Sequence, residues 1–135
     1  MKIAAITALA MLAILVPTSA ALTPGPWKIR LTGDEVDRPG ANHVYALYNR
    51  PTYNERLGTG FLVCLPVNRD FNDCTAFLRL SRGQIIARGV VPSASSFRLL
   101  AVSGGTGLYA NVGGQLLMQP LGDGVILFLA DLIAF

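Results

Sequence analysis

Asp131 is the one charged residue in the apolar stretch Val125–Phe135. A carboxylate in such a run either reaches water or pairs with a cation, because an unpaired buried charge takes up a proton instead. Facing a cavity, Asp131 would orient a ligand or serve as acid or base, which makes it the lead candidate for a polar pocket group. Facing outward, it would pair with an arginine. Tyr45, Tyr48, Arg88, Arg98 and Tyr109 are the further pocket candidates. His43 is the only histidine and reads as a solvent-facing strand residue. No serine or cysteine pairs with a base and no two carboxylates share a strand face, so hydrolase chemistry lacks its parts. No residue is assigned a catalytic role.

Other sites fail on spacing. Asn68, Asp70, Asn72 and Asp73 crowd one loop, but the glycine and bidentate glutamate of a calcium loop are missing. A single histidine without a Cys-x-x-Cys pair argues against a metal. Leu108-Tyr109 follow Gly107 where a phosphate loop needs Lys and Ser/Thr, and the dinucleotide fingerprint lacks its βαβ setting. The acidic run Gly33–Asp37, which Arg38 ends, reads as a solvated loop.

The elements that must carry these residues are strands. Pro26–Thr32 alternates, with Trp27, Ile29 and Leu31 on one face and Lys28, Arg30 and Thr32 on the other. A polar loop is expected over Gly33–Ala41, a strand over Asn42–Asn49 and a turn-rich link over Arg50–Arg56. Gly58–Leu65, Cys74–Leu80 and Gln84–Val91 are the next strands, joined by the loop Pro66–Asp73 and the turn Ser81-Arg82-Gly83. After the loop Pro92–Ser96 come Phe97–Val102, Val112–Gln119 and Val125–Ala134. Pro120–Gly124 is expected as the last turn. Ser103-Gly104-Gly105-Thr106-Gly107 is expected as a structural corner, with Gly113 and Gly114 marking a bulge or close approach where the next strand starts. Eight short strands without a helical period imply an all-β sandwich or barrel.

Residues 1–20 have the pattern of a secretory signal: Lys2, the apolar run Ile3–Val16, then Pro17-Thr18-Ser19-Ala20 before the cut. The apolar run is short for a membrane span, so no span is expected after cleavage. One domain, 21–135, remains. The whole chain carries a formal charge of +3, and losing Lys2 leaves +2, too little to argue for nucleic acid. Two cysteines in a secreted chain argue for one disulfide, Cys64–Cys74, between two strand ends.

Gly104-Gly105-Thr106-Gly107, then Tyr109, then Gly113-Gly114 before a long apolar strand resembles the dirigent proteins and allene oxide cyclases. Cys74–Val91, with its Arg-Gly turn and Gln84–Gly89, is similar to bacterial members. The resemblance implies an eight-stranded antiparallel β-barrel without metal or organic cofactor. It implies a protein that binds or positions a hydrophobic small molecule, as a cyclase or isomerase or by dirigent-like control of stereochemistry, where catalysis rests on orientation. It also implies a homotrimer. Val125–Phe135 is apolar on both alternating faces, which suits a strand with one face inside and another against a second chain. Gly113 stands where plant dirigent proteins carry Arg and the cyclases Tyr, and Asn49 is nearest to the early-strand carboxylate of the former. The alternative is a structural or interaction barrel filled by its own side chains.

Overall fold

A computed structural model describes residues 21–40, 42–50, 52 and 54–135. The signal-like residues 1–20 lie outside the described residues. Eight strands follow one another: β1 (Gly25–Asp37), β2 (His43–Asn49), β3 (Arg56–Pro66), β4 (Phe71–Leu80), β5 (Gly83–Pro92), β6 (Arg98–Gly107), β7 (Val112–Gly122) and β8 (Val125–Ala134). Each pairs antiparallel with the next, and β8 returns to β1, closing the barrel. The all-β, eight-stranded expectation holds, and closure decides barrel over sandwich.

Strand alternation sorts the side chains. The closing ladder brings Leu31 beside Phe128, Ile29 beside Ala130 and Trp27 beside Leu132, all in the inward phase. Inward residues of all eight strands meet in one apolar cluster, including Leu31, Tyr45, Leu62, Leu78, Ile85, Leu100, Leu116 and Phe128. Tyr45, Leu47, Leu62, Leu78, Ile85, Leu100, Leu116, Met118 and Phe128 are at most 1 % exposed, so the middle of the barrel is filled by its own side chains.

Four loop boundaries move. Gly33–Asp37, expected as part of a loop, continues β1, because Gly33 pairs with Leu47 on one side and Ile126 on the other. Gly33 is buried, and a Cβ there would crowd the Phe128 and Tyr45 side chains. Phe71, Asn72 and Asp73 open β4, leaving a tight link in which Asn68 Oδ1 accepts from the Asp70 and Phe71 N–H groups. Pro120, Leu121 and Gly122 extend β7, and Asp123-Gly124, both with positive φ, make the two-residue hairpin turn. Arg56 and Leu57 already belong to β3, while Asn49 organises the link before it by accepting from the Asn54 and Glu55 N–H groups.

The expected glycine corner is strand. Gly104, Gly105, Thr106 and Gly107 pair with Ile86, Ile85, Gln84 and Gly83, and a register shift between Ile86 and Ala87 absorbs the extra residue. The chain turns afterwards, at 108–111, before Gly113 and Gly114 enter β7. Gly107 has φ 60°, and a Cβ there would run into the Arg82 carbonyl oxygen.

Cys64 and Cys74 face each other across the β3–β4 ladder and form a disulfide. The bond ties the hairpin from inside the barrel, with Cys74 fully buried. It closes a short loop and contributes on the order of 3 kcal/mol by the loop-entropy account. Such a bond is at home in an oxidising compartment. Gly107→Val combines positive φ with a backbone collision and should lower stability by at least ~1 kcal/mol. Gly104→Val, at φ 148° but with nothing within 4 Å of its Cβ, should lower it through backbone strain alone, and so by less. Chemical denaturation measures both, and an unchanged midpoint for Gly107→Val would contradict this account of β6.

Candidate functional site

The two ends of the barrel differ. One end gathers the starts of β1, β3, β5 and β7, and apolar side chains close it. Leu22, Leu57, Leu80 and Leu108 pack against the core there, and the Leu22 N–H donates to the Leu108 carbonyl. Tyr109 is buried in the same plug, and burial raises its phenol pKa.

At the opposite end Val91, Ile126 and Cys74 keep part of the inward phase apolar, but three inward positions are polar. Glu35 of β1 and Tyr45 of β2 are register partners in that phase, and His43 lies two residues before Tyr45 on the same face. His43 Nδ1 is 3.2 Å from Glu35 Oε1, with side chains 13 % and 22 % exposed. A carboxylate only accepts, so the proton of this hydrogen bond sits on Nδ1, and Nε2 of the neutral ring keeps the lone pair. The imidazole stacks on Tyr45, ring centres 6.0 Å apart and planes within 7°. Tyr45 in turn meets Phe128 edge to face at 5.5 Å. Arg38 places its guanidinium 3.8 Å from Glu35 at the outer rim. Arg98 of β6 pairs with Met118, and Met118 with Phe128, which turns the arginine toward the same end from the far wall.

Burial pushes the Tyr45 phenol up to about 12, helped by the Glu35 charge, while Arg98 and Arg38 pull the other way. Glu35, His43, Tyr45 and Arg98 therefore share one electrostatic environment. Their chemistry is that of a carboxylate-oriented imidazole beside a buried phenol, with a cation on the far wall. Glu35 and His43 are two metal-ligand types, but no group of three such side chains comes together among the described residues.

Of the six sequence candidates, Tyr45 and Arg98 are brought together here. Tyr109 belongs to the opposite plug. Tyr48, Arg88 and Asp131 lie in the outward phase, as their register partners Thr32, Thr75 and Gln115 show. Arg88 is held by Asp73 in a two-pronged ion pair at 2.7 and 3.2 Å, which lowers the Asp73 pKa. Asp131 is exposed and lines only a shallow outer groove with Lys28 and Arg30. Its role as a pocket group inside the barrel is overturned: Ala130 and Leu132 take the inward positions beside it. The expectation for His43 is corrected too, since it faces inward. Sequence reasoning missed Glu35 by reading it as part of a loop, and His43 by turning it toward solvent on its strand. The signal that could have found them is that strand alternation from Leu31 carries through Gly33 to Glu35.

No family model matches this chain, and no curated protein matches it by sequence. Solved structures do match by shape. A pyocyanin demethylase superposes with a TM-score of 0.59 at 18 % identity, covering 80 % of this chain and 99 % of its own. Two pterocarpan synthase dirigent proteins superpose with TM-scores of 0.60 and 0.62 at 12 % identity. They cover 84 % and 90 % of this chain, and 99 % of their own. The chain therefore has the dirigent-type barrel fold, as its glycine motif led one to expect.

Because the folded state holds the Tyr45 proton to about 12 while an unfolded tyrosine loses it near ~10, the unfolded state releases its proton first. The stabilisation is complete below the unfolded pKa and is lost as pH rises from about 10 to 12, by roughly 2 kcal/mol. Across that window the wild type should lose stability relative to Tyr45→Phe, whose own stability carries no such titration. A gap independent of pH would show that Tyr45 does not resist ionisation.

Proposed function

We propose that this barrel is exported and binds a planar, largely apolar small molecule at its polar end, orienting it against His43, which Tyr45 backs from inside. One observation carries the reading: inward positions that the fold would fill with apolar residues hold Glu35, His43 and Arg98 instead. Two supports come from outside the site. The signal-like N-terminus and the disulfide favour export. The structures of the same fold are named for small molecules, pyocyanin and pterocarpan. In this reading His43 Nε2 takes a proton from the ligand or returns it, and Glu35 stabilises the imidazolium between the two steps. The activity class is a cofactor-free isomerisation or cyclisation, driven by orientation plus proton transfer.

The filled barrel middle favours a second reading, a structural barrel with no ligand. Fluorescence titration with 1-aminoanthracene, a neutral planar probe, separates the two. Saturable binding should weaken at least about tenfold in His43→Ala, the loss of one aromatic stacking partner and its hydrogen bond. Leu108→Ala, at the opposite plug, should leave it unchanged. No saturation up to ~1 mM probe would favour the structural barrel, since weaker binding than this carries only about 4 kcal/mol.

The outer wall supports self-association with further copies of the chain, as a trimer. Leu99, Leu117 and Leu129 form a contiguous outward row across β6, β7 and β8, and Leu99 is 55 % exposed. Light scattering at micromolar concentration should give a multiple of the chain mass, and Leu99→Glu should reduce it to one chain. A monomeric wild type would reject the association.

A further inference from the structure

The polar end has two poles on opposite walls. Glu35 and His43 stand on β1 and β2, and Arg98 stands on β6. In a closed ring of eight strands taken in order, β6 lies across from β2. The poles are unequally satisfied. Glu35 has His43 at 3.2 Å and Arg38 at 3.8 Å. Arg98 is partly buried and stands in none of the ion pairs among the described residues. Its register partner is Met118, which is fully buried and apolar. Arg30, Arg50, Arg56, Arg69, Arg79 and Arg82 also stand in none of these ion pairs, but all six are exposed, whereas Arg98 is partly buried.

A guanidinium cannot shed its charge to relieve desolvation, and its donors form a planar fork that fits two oxygens at once. Turning one inward beside apolar neighbours without a counter-ion is unfavourable unless the missing anion arrives from outside. We infer that the ligand is an aromatic anion whose carboxylate, or a similar pair of acidic oxygens, is received by Arg98 while its rings lie toward His43. This rests on the ligand reading above and adds the charge of the ligand. It also fixes direction, because the acidic group must point at β6 and the opposite edge of the molecule at the Glu35–His43 pair. A proton moved by His43 would then come from the edge remote from the acid.

Calorimetric titration of the purified protein with 2-naphthoate and with naphthalene-2-carboxamide, its neutral isostere, tests this. The wild type should prefer the carboxylate by about tenfold, the size of a charge-assisted pair in a partly wet site. Arg98→Gln should erase that preference while keeping the affinity for the carboxamide, and Arg98→Lys should retain part of it. Equal affinity of the wild type for both probes overturns the inference and leaves the ligand reading standing; this arm needs no variant to fold. A preference that survives in Arg98→Gln also overturns it and moves the anion to another cation, such as Lys28 or Arg30 of the outer groove. Binding of neither probe removes the ligand reading, and this inference with it.

Discussion

Closure of β1 onto β8 is the constraint from which the rest follows. Ten consecutive pairs, from Gly25 with Ala134 to Asp34 with Val125, seal the ring and leave no free edge. Sealing also fixes phase. Once Leu31 faces Phe128, every second residue of β1 and β8 must face the axis, and the neighbouring ladders pass that choice around the wall. A one-residue slip would place Arg30 and Leu129 inside and Leu31 and Phe128 in water. The same choice sends Glu35 inward and Asp131 outward, so closure decides the site as well as the core.

Closure explains which parts of the molecule were legible in the sequence. Strand number, the cysteine pair and the barrel could be read, because alternation in Pro26–Thr32, paired cysteines at strand ends and the Gly104–Gly107 motif are local signals. The phase of β8 could not. Val125–Phe135 is apolar on both faces, so the sequence offers no reason to put Phe128 inside and Leu129 outside. Only the pairing with alternating β1 breaks the tie. Asp131 was therefore a reasonable candidate with the wrong orientation. Glu35 was lost for the opposite reason: Asp34, Glu35 and Asp37 look like loop, and their strand character comes from ladders on both sides, not from propensity. Ser103–Gly107 was misjudged in the same way. Glycines that suit a corner also suit a bulged strand pressed against β5, and the choice is made by the partner strand.

The unlike ends then bear on function. Both ends of a short barrel must be stopped against water. One is stopped by Leu22, Leu57, Leu80, Leu108 and Tyr109, which shows that this chain can plug an end with apolar groups. At the other, Val91, Ile126 and Cys74 are buried apolar groups, but three further inward positions carry a carboxylate, an imidazole and a guanidinium. The carboxylate and imidazole offset each other's desolvation, and burial of the Tyr45 phenol beside them raises its pKa without leaving a charge. The arginine on the far wall stands in no ion pair among the described residues. For stability alone, apolar residues there would serve at least as well as a desolvated ion pair and a lone cation. Closing the barrel therefore does not by itself account for the polar residues at this end.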